Sequence, residues 1–303
     1  MTLHSDSPAS LKHVLDVLEP ERVETDRFRG RSVDLKWGYV FGGQFVAQAL
    51  AAAEQTVRED QAAHSVHGYF VRSGDEHQPI IYEVERIRDG MSFSTRRVDA
   101  VQDGRTVFTM TASFQHKEVG FEHQDLMPQT PGPEGLLSQA QIARKYMDKM
   151  PDAAREQLLL EGAIEIRPVD PIDILNPQAK PPQRSVWYRA VGALPDRPAL
   201  HRALLAYVSD LNLLSTAMRP HATTWVTPGI QSTSLDHAIW FHRPFRMDDW
   251  LLFVMDSPSA NGARGFASGR FYTREGRLVA SAAQEGLIRV RPKAKSAVNN
   301  RSS

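Results

Sequence analysis

The chain repeats itself, and no other feature constrains it as much. Segment 65–72, Ser-Val-His-Gly-Tyr-Phe-Val-Arg, aligns with segment 235–243, Leu-Asp-His-Ala-Ile-Trp-Phe-His-Arg. In this alignment His67 matches His237, Phe70 matches Trp240, and an arginine follows closely in each copy. Further on, Asp103-Gly104-Arg105 matches Glu275-Gly276-Arg277. Each triplet sets an acid and a glycine between apolar runs, which is a hairpin signal. The strands that follow match as well, residues 106–114 against 278–286. Such an ordered set at a nearly constant offset indicates duplication.

Each copy places a helix ahead of its strands. Residues 42–56 open with a glycine pair and are rich in alanine and other helix formers. Residues 198–218 open with Pro198 at a first helical position and close before Pro220. Leu200, Ala203, Leu204, Tyr207, Val208, Leu211, Leu214 and Met218 make this second helix apolar nearly all round, so it is expected to be buried. The expected class is α+β, with one long helix and several antiparallel strands in each half. The predicted organisation is a first domain over 10–115, a linker over 116–184, a second domain over 185–292 and a disordered tail over 293–303. The linker holds nine of the 19 prolines. Short helices are predicted in it near 137–148 and 152–160.

Composition then removes whole classes of chemistry. The 36 Lys and Arg balance 36 Asp and Glu, which argues against a nucleic-acid partner. Absence of cysteine removes disulfides, thiolate metal sites and cysteine nucleophiles. No GxGxxG, P-loop, HExxH or GxSxG pattern occurs, and the 11 histidines lack the spacing of a metal site. Neither a cofactor nor a metal is expected. No secretory leader and no apolar run long enough to span a bilayer is found, so a soluble cytoplasmic protein is expected.

Three side chains stand out against the repeat. Asp210 lies in an apolar helical stretch, with Ala206, Tyr207, Leu213 and Leu214 as its helical neighbours. A carboxylate there is costly unless paired or hydrogen-bonded; it is either a functional group or one bonded to a nearby loop or facing solvent. Strand alternation puts Leu278, Ala280, Ala282, Gln284 and Ile288 on one face if no bulge intervenes. The first copy has Ala112 where the second has Gln284. That is the pattern of a site kept in one copy, or of an amide satisfying a loop. Ser234 enters the His237 strand, where a hydroxyl serves a turn or a site. Thr233, a rival donor, points the other way on a regular strand. His67 and His237, as matched positions, read as structural. Asp236 and His237 face opposite sides and cannot share a site without a bulge.

Seven stretches together resemble the type II acyl-CoA thioesterases, the bacterial thioesterase II enzymes and their peroxisomal relatives. They are Val-Phe-Gly-Gly-Gln (40–44), His67 to Arg72, Gly-Phe-Glu-His-Gln (120–124), Ser-Asp-Leu-Asn (209–212), Leu-Asp-His-Ala-Ile-Trp-Phe-His-Arg-Pro (235–244), Ala-Arg-Gly-Phe (263–266) and Gln-Glu-Gly (284–286). The resemblance spans residues 10–292 in order. It implies a double hotdog, two fused domains each with a long helix wrapped by an antiparallel sheet. It also implies hydrolysis of acyl-CoA to free fatty acid and CoA. Carried over residue by residue, the catalytic trio is Asp210, Ser234 and Gln284, orienting a water. Apart from the resemblance, backbone N–H groups near a helix start suit an oxyanion, which makes Gly42-Gly43 the candidate donors. A hotdog enoyl-CoA hydratase using His237 with Asp236 is the alternative, as is a non-catalytic acyl-CoA-binding protein. The partners implied are the acyl-CoA substrate and further copies of the chain, in a dimer or tetramer. The last residues are not Ser-Lys-Leu, which departs from the peroxisomal members and favours a bacterial-type cytoplasmic protein.

Overall fold

A period of two in the strand segments and two alanine-rich helices build one continuous antiparallel sheet around a helix pair. The computed structural model describes residues 10–33, 37–146 and 162–291. The predicted helix over 152–160 and the predicted tail over 293–303 lie outside the described residues. The first half comprises α1 (Leu11–Leu18), β1 (Glu21–Glu24), β2 (Arg27–Gly30), α2 (Gly42–Glu54), β3 (Gln61–Phe70), β4 (Ile80–Asp89), β5 (Phe93–Gln102) and β6 (Arg105–His116). After α3 (Gln139–Tyr146) come β7 (Ile164–Pro168), β8 (Gln183–Ala190), α4 (Pro198–Ser209) and α5 (Leu213–Met218). The chain ends its fold with β9 (Ile230–Ser234), β10 (Asp236–Phe241), β11 (Leu251–Asn261), β12 (Arg264–Thr273) and β13 (Leu278–Val290).

The strand order is β1-β2-β4-β5-β6-β3-β10-β13-β12-β11-β8-β7, with β9 on the far end of β13. Read outward from the central β3–β10 pair, the two sides are the same list: β6 and β13, β5 and β12, β4 and β11, β2 and β8, β1 and β7. The repeat unit is therefore two strands, a helix and four strands. Residues 164–168, expected within the linker, instead form the edge strand of the second half by pairing with β8. Their proline-rich surroundings hid a strand whose inward residues are Ile164 and Ile166.

Backbone contacts fix the alignment of the halves more finely than residue identities do. The N–H groups of Val71 and Arg72 share the carbonyl of Val107, and those of His242 and Arg243 share that of Val279. The Arg72 guanidinium donates to Thr106 O, and that of Arg243 to Leu278 O. Arg72 thus corresponds to Arg243 and Phe70 to Phe241. By the same register Val66, not His67, corresponds to His237. The identity-based pairing was one residue out, and one residue in a strand reverses the face. His67 points outward and meets the Trp240 ring edge-on, with centroids 5.0 Å apart. His237 is buried.

The helices α2 and α4 pack against each other in the centre, antiparallel. An added Cβ on Gly43 would lie 2.2 Å from Tyr207 O, so only glycine permits this approach. At the opposite end Glu54 of α2 pairs with Arg202 of α4 at 2.6 Å. The sheet closes over them with Phe108, Met110, Ala112 and Phe114 from β6 and Ala280, Ala282 and Gln284 from β13. A register shift opposite Phe271 and Tyr272 turns Leu278 out of that face. Val279 is buried in its stead, and Leu278 joins a small outer cluster around Trp187 and Trp250.

Candidate active site

The helix expected over 198–218 breaks at its middle, and the break makes the site. Ser209 turns its hydroxyl back onto Ala206 O at 2.9 Å, a bond that competes with helix continuation. Asp210 then caps α4, and Asn212 takes a left-handed φ of 67°, a conformation asparagine tolerates better than most residues. The Asn212 amide donates to the Tyr188 hydroxyl at 2.7 Å, which holds the break open. Asp210 is thus half-buried at a helix end and not enclosed in mid-helix.

The structure brings Asp210, Ser234 and Gln284 together. Ser234 Oγ donates to Asp210 Oδ1 at 3.3 Å. Gln284 Nε2 donates to the same Oδ1 and, at 3.0 Å, to Ser234 Oγ. Gln284 comes from β13 and is 1% exposed. Ser234 ends β9, opposite Gly286 of β13, and Thr233 faces solvent as strand alternation requires. Asp236 is engaged elsewhere, its Oδ1 accepting from Glu285 N at 2.6 Å. The Asp236–His237 pair therefore forms no shared site, which removes the motif behind the hydratase alternative.

Helix dipoles treat the two ends of this carboxylate differently. Asp210 sits at the C-terminal end of α4, which disfavours an anion. The N-terminus of α2 offsets this, because Gly42 lies against Asp210 Oδ2. A Cβ added there would come within 2.6 Å of that oxygen. No side chain caps α2, and the N–H groups of Gly42 and Gly43 at its start have no partner within the helix. Tyr39 stays protonated, its pKa raised by burial and by the nearby Asp210 charge. Burial pushes His237 below its ordinary value, although Asp210 and Asp236 oppose this.

A cavity of about 710 Å³ opens onto Asp210. Its wall is largely apolar, with Trp37, Phe41, Ile142, Ile166 and Trp225, and carries Arg184 and Arg291. Ser234 and Gln284 stand behind Asp210, outside that lining. Among the described residues no cluster of side chains has the make-up of a metal site. No helix among them is long and apolar enough to cross a membrane. Sequence reading missed Asn212, Ser209 and His237 as parts of the site. Poor helix formers at Ser209, Asp210 and Asn212 were the available signal for the break.

Residues 161–287 match the family model described as acyl-CoA thioesterase, and residues 33–115 match that of the acyl-CoA thioesterase N-terminal domain. The chain is 39% identical over 279 residues to acyl-CoA thioesterase 2 of Haemophilus influenzae, covering 92% of this chain and 98% of that protein. It is 41% identical over 297 residues to human acyl-coenzyme A thioesterase 8, covering 95% and 92% of the two chains. The solved structure of an acyl-CoA thioesterase II, TesB2, from Mycobacterium marinum superposes with a TM-score of 0.73 at 40% identity, covering 92% of this chain and 99% of that one.

Proposed function

The chain belongs to the acyl-CoA thioesterase family, with the double-hotdog fold, and from that premise we propose that Asp210 is the base of a direct, water-mediated thioester hydrolysis. One observation carries the reading: Ser234 and Gln284 both donate to Oδ1, which leaves Oδ2 beside the N-terminus of α2. A thioester needs little further activation, because sulfur donates poorly to the carbonyl and thiolate leaves readily. It needs a directed water, a base and stabilisation of an oxyanion.

In the proposed reaction Oδ2 takes a proton from water as the water oxygen bonds to the thioester carbon. Electrons move onto the carbonyl oxygen, and the α2 N-terminal N–H groups at Gly42 and Gly43 stabilise that charge. Collapse of the tetrahedral species breaks the carbon–sulfur bond. The proton held by Asp210 returns to the departing thiolate, giving CoA and the free acid. Ser234 and Gln284 hold the base in one orientation throughout. The apolar cavity beside Asp210 suits an acyl chain, and Arg184 and Arg291 add positive charge to a site for an anionic substrate. A homo-oligomer and a cytoplasmic location belong to the same reading; the outward-facing Tyr69 and Trp240 on the central strands support the former.

The test is CoA release from saturated acyl-CoAs of increasing length, read with a thiol dye that has no cysteine in the chain to react with. A single turnover in ¹⁸O-water should place label in the released acid. No release from any acyl-CoA sinks the activity. Unlabelled acid in the first turnover would instead mean covalent attack by Asp210.

A further inference from the structure

We infer that His237 is a positioning residue for the hydrolysis, its tautomer helping to hold the nitrogen end of the Gln284 amide toward Asp210. The inference rests on the reading of Asp210 as the base, and it follows from counting hydrogens. Ser209 has one hydroxyl hydrogen, and that hydrogen is committed to the Ala206 carbonyl, an acceptor only. The contact of 2.8 Å between Ser209 Oγ and His237 Nε2 therefore requires the imidazole to donate. The neutral ring then carries its proton on Nε2 and a lone pair on Nδ1. Gln284 Nε2 lies 3.3 Å from that Nδ1 and must be the donor.

This settles the orientation of the amide. Its two hydrogens are shared among three acceptors, Asp210 Oδ1, Ser234 Oγ and His237 Nδ1, the last being the longest contact. Its oxygen is buried with no partner among the described residues. Turned over, the amide would set that oxygen against a carboxylate oxygen and a ring lone pair. A buried amide is free to adopt either orientation unless its neighbours discriminate; the Asp210 carboxylate does so from one side, and the imidazole, in this tautomer alone, does so from the other. Burial also favours the neutral ring, the form in which Nδ1 accepts. The first half has no such relay, since Val66 and Ala112 stand where His237 and Gln284 stand in the second.

Three variants, with Asp210→Asn as the reference, test this. His237→Leu removes the acceptor; kcat should fall about 10- to 100-fold, as for other outer-shell partners, with KM within about twofold. His237→Asn places a carbonyl oxygen near the Nδ1 position and should restore kcat to within about threefold of wild type. Ser209→Ala frees the tautomer and should cost less than the leucine variant. The imidazole ¹⁵N spectrum of the wild-type protein, with His237→Asn to assign the signal, should show Nδ1 without a proton at neutral pH. That measurement decides the tautomer even if the leucine variant does not fold, and the kcat of His237→Asn and Ser209→Ala then decides the role. A protonated Nδ1, or a folded leucine variant with wild-type kcat beside an inactive Asp210→Asn, overturns the positioning role alone. An active Asp210→Asn overturns the reading beneath it.

Discussion

The two halves build the same joint between helix end and sheet, and fill it differently. In the first half Thr56, just past α2, donates its hydroxyl to Ala53 O at 2.8 Å and accepts from Arg96 Nε at 2.8 Å. In the second, Ser209 donates to Ala206 O at 2.9 Å and accepts from His237. Arg96 pairs across the sheet with Ala112, and Ala267 pairs with Gln284, so the large polar group has changed strands. The Arg96 guanidinium, 1% exposed, also donates to the carbonyls of Thr56, Arg88 and Thr95 and to Asp89. Every hydrogen it has is directed inward to the fold, and its charge suits a helix C-terminus. The second joint replaces that cation with a neutral imidazole, an amide and a carboxylate, and opens onto a cavity. One joint is a lock and the other a site. A duplicated fold can therefore keep its stability in one copy while the other carries groups chosen for chemistry.

The largest effect that should sharpen this contrast is on Gln284. Gln284→Leu should lower kcat roughly 10²–10³-fold by freeing the base, whereas Ala112→Gln in the first half should leave kcat unchanged. Steady-state thiol release measures both; a comparable loss from each would break the contrast. Next is the helix contact both halves share. Gly43→Ala drives a Cβ into Tyr207 O and should cost about 1–3 kcal/mol in a denaturant melt. Ser234→Ala should then reduce kcat by about tenfold, the worth of one hydrogen bond to a charged group, with Ser234→Thr close to wild type. The smallest effect is on stability against pH. His201 Nδ1 accepts from Met247 N, and His237 Nδ1 from Gln284, so a proton on either ring breaks a buried bond. Burial holds both below the ordinary value of 6.5. Their contribution is present above that value and lost as pH falls through it toward the folded pKa, so the melting temperature should be lower at about pH 5.5 than at about pH 7.5. Glu54, raised by burial, works with the opposite sign, and Glu54→Gln removes it from the comparison.

What could be read from the sequence follows physical lines. Gln284 is legible as the counterpart of Ala112 because the repeat aligns their strands and alternation runs undisturbed from Ala280 to Gly286. Alternation alone misplaces Leu278, because the irregularity beside it is set by pairing with β12, which the sequence of β13 does not record. His67 and His237 were matched by identity, whereas their faces are decided by which carbonyl the following N–H groups share. The break after Ser209 is hidden in the sequence because eight apolar residues outweigh three weak helix formers. β7 lay unseen among prolines because a five-residue edge strand leaves too short a period to detect. Asp210 and Ser234, by contrast, were legible as polar groups in apolar or strand-entry positions, although only folding brings them together.

The most direct test is kcat for thiol release by Asp210→Asn and Arg96→Met side by side, with a melting curve for each. The account predicts that Asp210→Asn loses roughly 10²–10⁴-fold in kcat at an unchanged melting temperature. Arg96→Met should keep kcat within about twofold and lose roughly 3 kcal/mol of stability, because the carbonyls of Thr56, Arg88 and Thr95 lose their donor. An Asp210→Asn protein that keeps kcat within about threefold, or an Arg96→Met protein that stays folded but loses activity as fully as Asp210→Asn, would contradict it.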